Sequence, residues 1–220
     1  GAEYDTQWAG SADENEYENY SAKLGSQYKT DTVFAEVSVA TMKDQGGTFV
    51  SDDKANSLSE ITTKRNQFGL LGQYMFSEDT SATAGFDWYK EKVSAGDLDS
   101  WTPGNQSWSK DSRTTKAFYV LGRHQMNSFL FEGAVRRDDI QGLDAETTYN
   151  LSVGYQLNTD WLVSASRGTG FKAPTFNDLY WPGSGNPLLK PEKVESNEML
   201  VRGQLENADI SVLEKPDTKI

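Results

Sequence analysis

The segment Thr148–Leu157 sets the strictest limit on the fold. Tyr149, Leu151, Val153, Tyr155 and Leu157 hold alternate positions, with Thr148, Asn150, Ser152 and Gln156 between them. Side chains of an extended chain point to opposite faces with period two, so this segment is a strand with one apolar and one polar face. The same period recurs. Tyr20, Ala22, Leu24 and Tyr28 alternate with Ser21, Lys23, Gly25 and Gln27, and Val33, Ala35, Val37 and Val39 with Glu36 and Ser38. Phe68, Leu70, Tyr74 and Phe76 oppose Gln67 and Gln73, and Ala82, Ala84, Phe86 and Trp88 oppose Thr83 and Asp87. Thr115–His124 alternates least decisively. Phe129, Phe131 and Val135 oppose Glu132 and Arg136; Trp161, Val163 and Ala165 oppose Ser164 and Ser166; Met199, Val201 and Leu205 alternate with Arg202 and Gln204. Ala208–Val212 is the last candidate, which brings the count to about ten strands of the length a membrane barrel uses.

The connections have their own rhythm. Residues 29–31, 77–81, 126–128 and 158–160 read as tight turns, whereas the polar stretch Lys43–Lys64 and the segment Val93–Arg113 read as long loops and Arg137–Ala145 as a medium one. The first twenty residues are acidic, carry no apolar period and read as loop. A soluble sandwich accounts for two-faced strands but not for connections that alternate short and long. A membrane barrel accounts for both, with outward side chains in lipid, inward ones in the lumen, tight periplasmic turns and long extracellular loops. The expected fold is therefore all-β, an antiparallel up-and-down transmembrane β-barrel segment. Tyr28, Phe76, Trp88, Tyr149 and Trp161, at strand ends, are expected to form interfacial girdles.

Composition narrows the function classes. Apolar residues make up 36% of the chain, few for a protein that must bury a large core but natural for a sheet with one wet face. No apolar run is long enough for a helical membrane span, which excludes helices and says nothing against strands. There is no cysteine, hence neither a disulfide framework nor a thiolate metal site. A formal net charge of −12 repels nucleic acid, so no nucleic-acid partner is expected. The single histidine, His124, sits at a strand end beside a tight turn and cannot build a His-rich metal site or a convincing triad. Gly168 and Gly170 lack the third glycine and the helix of a dinucleotide fingerprint, and no spacing fixes a carboxylate pair. No enzyme activity and no organic cofactor are expected.

The stretch from Trp161 to Glu198 breaks its alternation at Gly168 and Gly170, passes through an aromatic, proline-containing loop and resumes a strand pattern near Glu198. Gly168, Phe171, Lys172, Ala173 and Pro174, followed by Asn186, Pro187, Leu189, Pro191, Glu192 and Lys193, resemble in order and spacing a region shared by TonB-dependent outer-membrane receptors. FLFEGAVRRDD (Phe129–Asp139), TKAFYVLGRHQ before it and Leu179-Tyr180 before Gly-Asn-Pro are similar to the cobalamin branch of that family, over most of residues 3–212.

The resemblance implies location in the outer membrane of a Gram-negative bacterium. It implies part of a receptor that binds and imports a bulky scarce nutrient, cobalamin first, with outer-membrane lipid as surroundings. Siderophore and haem receptors share the motif and stay open. So does a receptor-derived interaction protein that binds without transporting. The family's barrels have about twenty-two strands around an N-terminal plug. No plug is recognisable in residues 1–220, so the whole chain reads as a partial barrel domain, and contact with TonB would need a plug from elsewhere. Gly1 opens without a basic or apolar leader, and the alternation stops after Val212 with Pro216 close behind, again as expected for a middle portion. Cobalamin receptors hold calcium between acidic loops, and the best-matching positions are Asp5, Asp13, Asn15, Asp44 and Asp53. A hard cation wants several oxygen donors from flexible loops, which these supply, although an acidic solvated surface explains the same residues. Trp101, Trp108, Phe171, Tyr180 and Trp181 are the candidate contacts to the organic ligand, since loop aromatics give large contact area at low entropic cost.

Overall fold

The computed structural model describes residues 14–50, 53–95, 110–181, 183–205 and 208–214. One sheet of ten strands contains nearly all of them, each strand antiparallel to the next and in chain order. The strands are β1 (Glu14–Lys29), β2 (Val33–Val50), β3 (Asp53–Ser77), β4 (Thr80–Ala95), β5 (Ser112–Met126), β6 (Phe129–Ile140), β7 (Glu146–Gln156), β8 (Trp161–Lys172), β9 (Glu192–Leu205) and β10 (Ala208–Glu214). Among the described residues a single short helix, α1 (Phe176–Tyr180), interrupts the series.

Local chemistry makes the tight turns. Between β1 and β2 the Thr30 Oγ1 accepts from the Val33 N–H at 2.9 Å, and between β7 and β8 the Asn158 Oδ1 accepts from the Asp160 and Trp161 N–H groups at 2.9 and 3.0 Å. These side chains take up donors that the ladder leaves unpaired at its end. Asn127, between β5 and β6, adopts φ 52, the left-handed conformation that asparagine tolerates better than most residues.

Register fixes which residues share a face. Val37 faces Leu70, Leu70 faces Phe86, Phe86 faces Phe118, and on the later strands Phe131 faces Val153 and Val153 faces Ala165. These rows make one continuous apolar face. Its side chains stand open: Leu24 is 73% exposed, Phe118 63% and Leu151 56%. Rings pair across strands on this face, Phe86 with Phe118 at 4.6 Å and Phe129 with Tyr155 at 4.6 Å. Leu151, Val153, Phe86 and Trp88 therefore line one surface and do not converge on a closed core.

Several boundaries differ from the sequence reading: β4 runs to Ala95, β5 starts at Ser112 and β6 runs to Ile140, all inside segments read as loops, and β10 runs past Val212 to Glu214. The stretch Lys43–Lys64 is not a long loop, because β2 continues to Val50 and β3 starts at Asp53, paired from Lys43 with Lys64 to Thr48 with Ser59. Glu14–Asn19, expected as loop, belongs to β1, and β9 starts at Glu192 rather than near Glu198. The cause is the same each time. Alternation marks only that part of a strand with one apolar face, whereas the ladder needs only backbone partners and runs on where both faces are polar. β3, at 25 residues, is the extreme case.

Candidate functional site

On the polar face, charges are matched across strands. Arg136 donates to Asp87 at 2.7 Å and to Asp138 at 3.0 Å, with its guanidinium 5.6 Å from the Tyr119 ring centre. One step towards the long connections, Arg113 donates to Glu91 at 3.0 Å, and Arg65 lies 3.9 Å from the same carboxylate and 3.8 Å from the Tyr89 ring centre. The planar guanidinium suits such bidentate and stacked contacts. The result is a wall of fixed, mostly neutralised charge.

Arg113 also fastens the loop between β8 and β9. Its Nη1 donates to the Pro174 carbonyl at 2.8 Å and its guanidinium lies 4.9 Å from the centre of the Phe176 ring. Phe176 and Leu179 of α1 are buried, as are Val93, Ala117 and Ile140, which register places on the polar face. Among the described residues the buried apolar side chains are thus confined to the polar face and to α1.

α1 forms because Thr175 and Asp178 close a capping box. The Thr175 Oγ1 accepts from the Asp178 N–H at 3.2 Å, and the Asp178 carboxylate accepts from the Thr175 N–H and hydroxyl, both at 2.8 Å. The backbone N–H and then the hydroxyl of Thr175 hold the Asp178 carboxyl below the usual carboxylate range. Past the helix, Asn186 N–H donates to the Asp178 carbonyl at 2.8 Å, folding the chain back. A Cβ at Gly185 would lie 2.5 Å from the Trp181 backbone nitrogen, so this close return requires glycine there.

Of the five aromatic ligand candidates, the structure places two, Tyr180 and Trp181, in this loop and a third, Phe171, in β8 with its register on the apolar face. Phe171 ends β8 opposite Lys193, Tyr180 closes α1 half-buried with the Lys110 ammonium 5.6 Å from its ring centre, and Trp181 follows at the helix cap, half-buried. Trp101 and Trp108 lie outside the described residues. Of the calcium candidates, Asn15 and Asp44 line one groove of about 460 Å³ with Asn19 and Thr48, on the polar face. Asp5 and Asp13 lie outside the described residues; Asp53 is described only as the first residue of β3, opposite Val50. That groove supplies one carboxylate, and among the described residues no three His, Cys, Asp or Glu side chains stand close enough to hold a metal.

Sequence reasoning missed the residues that organise the site: Arg113, Glu91, Phe176 and α1 itself. Thr175-Phe-Asn-Asp178 followed by Leu179 and Tyr180 carries the capping-box signature with apolar residues at helical spacing, a legible signal. No local signal joins Arg113 to Pro174, 61 residues away.

A profile of the family described as TonB dependent receptor-like, beta-barrel, matches residues 1–211. The vitamin B12 transporter BtuB of Photobacterium profundum is 34% identical over 88% of this chain and 30% of that protein. The vitamin B12 transporter BtuB of Vibrio vulnificus (strain YJ016) is 30% identical over 96% of this chain and 33% of that protein. The chain thus spans about a third of the length of the curated relatives it matches. Among solved structures, the siderophore receptor PirA from Acinetobacter baumannii superimposes with a TM-score of 0.74 at 16% identity, covering 91% of this chain and 34% of that one. The FrpB iron transporter from Neisseria meningitidis (F3-3 variant) gives 0.65 at 11% identity over 87% of this chain and 34% of that one. At such identities the likeness is one of fold. Two-faced antiparallel strands in chain order, the motif-bearing loop on the polar face and a profile match over almost the whole length agree, and the chain belongs to the TonB-dependent receptor β-barrel family.

Proposed function

We propose that this chain forms part of the wall of an outer-membrane receptor that binds cobalamin at its extracellular mouth and passes it inward. The apolar face meets acyl chains of the outer membrane and the charged face lines the lumen. The observation that carries the ligand is the alignment with two vitamin B12 transporters over 88% and 96% of the chain. The loop supports it, because Tyr180 and Trp181 offer half-buried aromatic surface beside the capping box and the contacts of Arg113 with Pro174 and Phe176, a preorganised platform for a bulky amphipathic molecule, while Phe171 stands on the apolar face by register. The function is binding and passage, without covalent chemistry. TonB would act through a plug supplied outside residues 1–220. The test is a binding titration of the full-length receptor with cyanocobalamin, a ferric siderophore and haem; preferential binding of either iron ligand would overturn the assignment.

Calcium at the acidic strand ends belongs to the same reading. Asn15 and Asp44, already in one groove, would supply two oxygen donors, and Asp5, Asp13 and Asp53 further carboxylates. Calorimetry with calcium is expected to give saturable binding in the micromolar range or weaker that Asp44→Asn reduces. Absence of heat, with unchanged loop proteolysis, would exclude the ion.

A further inference from the structure

Three connections between strands meet beside α1, and Lys110 stands where they do. Residues 110 and 111, which lead into β5, are anchored by the Val93 N–H, which donates to the Asp111 carbonyl at 2.8 Å. The turn between β6 and β7 is anchored by Gln141, whose N–H donates to the Thr114 carbonyl at 2.9 Å and whose Oε1 accepts from the Thr114 N–H at 3.2 Å. The third connection, between β8 and β9, brings Tyr180. The Lys110 ammonium donates to the Gln141 carbonyl at 3.2 Å and lies 5.6 Å from the centre of the Tyr180 ring. Both contacts are to uncharged groups.

The carboxylates of these segments are engaged elsewhere. Asp111 takes Lys92 at 3.5 Å, Glu91 takes Arg113 at 3.0 Å, and the Asp178 carboxylate accepts from the Thr175 N–H and hydroxyl at 2.8 Å. Lys110 makes no ion pair among the described residues, so its charge is held in place without being neutralised. The backbone leaves room beside it. Gly142 has φ 91, and a Cβ there would lie 2.7 Å from the Lys110 Nζ and 3.3 Å from the Tyr180 hydroxyl oxygen. An ammonium and a phenol thus adjoin one small space that any side chain at position 142 would fill. With one of its three donors on Gln141, the ammonium has two left, and together with the phenol O–H they form an arrangement suited to an oxyanion.

We propose that Lys110 and the Tyr180 hydroxyl bind the phosphodiester in the nucleotide tail of the ligand, which makes this junction the subsite that selects complete corrinoids over corrinoids lacking the tail. The inference rests on the cobalamin reading. The side chains of the corrin ring end in uncharged amides, whereas the phosphodiester carries a negative charge at every physiological pH, so a fixed cation without a carboxylate partner reads the tail and not the ring. Elsewhere the chain is a poor host for an anion, since its formal net charge is −12.

The test is a pair of calorimetric titrations of the full-length receptor, one with cyanocobalamin and one with dicyanocobinamide, the same corrin without the nucleotide tail. Lys110→Gln is expected to weaken cyanocobalamin binding about tenfold, the loss of one charge-assisted hydrogen bond, and Tyr180→Phe, which keeps the ring, about threefold. Neither substitution is expected to change the affinity for dicyanocobinamide, which also reports that the variants are folded. Lys110→Arg keeps charge and donors and is expected to retain cyanocobalamin binding, and Lys23→Gln, on β1, to leave both titrations unchanged. Unchanged cyanocobalamin binding by Lys110→Gln overturns the proposal. An equal loss for both corrinoids overturns it as well, since it would make the junction a joint that holds the loop. Failure of the cobalamin reading looks different: the unsubstituted receptor would bind a ferric siderophore or haem and neither corrinoid.

Discussion

The two faces of one sheet solve opposite problems. Among the described residues the apolar face has large side chains exposed and no core of its own, while the polar face has matched charges and, with α1, the buried side chains of Val93, Ala117, Ile140, Phe176 and Leu179. In a water-soluble protein these roles would be reversed, with apolar residues packed and charges exposed. The difference teaches that the stabilising partner of the apolar face is solvent of another kind, and that the order needed for ligand binding is built on the other side.

Neighbouring residues give the sharpest contrast. Leu151 and Ser152 are adjacent on β7 and point to opposite faces. In the full-length receptor folded into vesicles, Leu151→Arg, beside Arg167 on the apolar face, is expected to cost about 1–2 kcal/mol, and Ser152→Arg close to nothing, by denaturant unfolding. Equal costs would break the comparison.

The polar wall should respond to volume where the apolar face does not. Gly85 stands opposite Tyr119, whose ring occupies the space that a Cβ at position 85 would take. Gly85→Val is therefore expected to destabilise by about 1–3 kcal/mol, with partial recovery in the double variant carrying Tyr119→Ala, whereas Gly72→Val on the apolar face, where a Cβ meets nothing within 4 Å, should be tolerated.

Removing the fastening of the loop should act locally. Arg113→Ala leaves Glu91 without its 3.0 Å partner and frees the Pro174 carbonyl, and is expected to cost about 1–3 kcal/mol and to speed proteolysis between residues 173 and 191. Arg137→Ala, on the apolar side with a hydrogen bond to Thr147 at 3.1 Å, should leave that proteolysis unchanged.

The smallest effect is electrostatic. Because Thr175 holds the Asp178 carboxyl below its usual range, its contribution to the loop is complete at pH above the ordinary carboxylate value and is lost as pH falls through the lowered one. The protection of α1 amides against hydrogen exchange, relative to the intrinsic rate at each pH, should hold steady from neutral pH down to the ordinary carboxylate range and fall below it, a profile that Asp178→Asn should flatten.

The contrast between faces also governs what the sequence could reveal. The membrane-depth strands were legible because lipid imposes a period-two code, seen most plainly at Tyr149, Leu151, Val153 and Tyr155. Beyond the lipid the code vanishes while the ladder persists, which is why Lys43–Lys64 read as loop although it is paired strand. Tyr180 and Trp181 were legible as loop aromatics from motif and composition, whereas Phe171, read with them, is a strand residue of β8. Arg113 was not, since its role depends on Pro174 arriving from a distant part of the chain, a juxtaposition created by strand order alone.

The central claim is that the apolar face lies in lipid, and the absence of cysteine from residues 1–220 permits a direct measurement there. Single cysteines placed in turn at residues 149 to 153 of the full-length receptor, spin-labelled in lipid vesicles, would report collision with oxygen and with a water-soluble nickel chelate. A lipid-facing sheet predicts a period of two, with labels at 149, 151 and 153 meeting oxygen and those at 150 and 152 meeting nickel. Equal nickel access at all five positions, or protection from both reagents at 151 and 153, would contradict it.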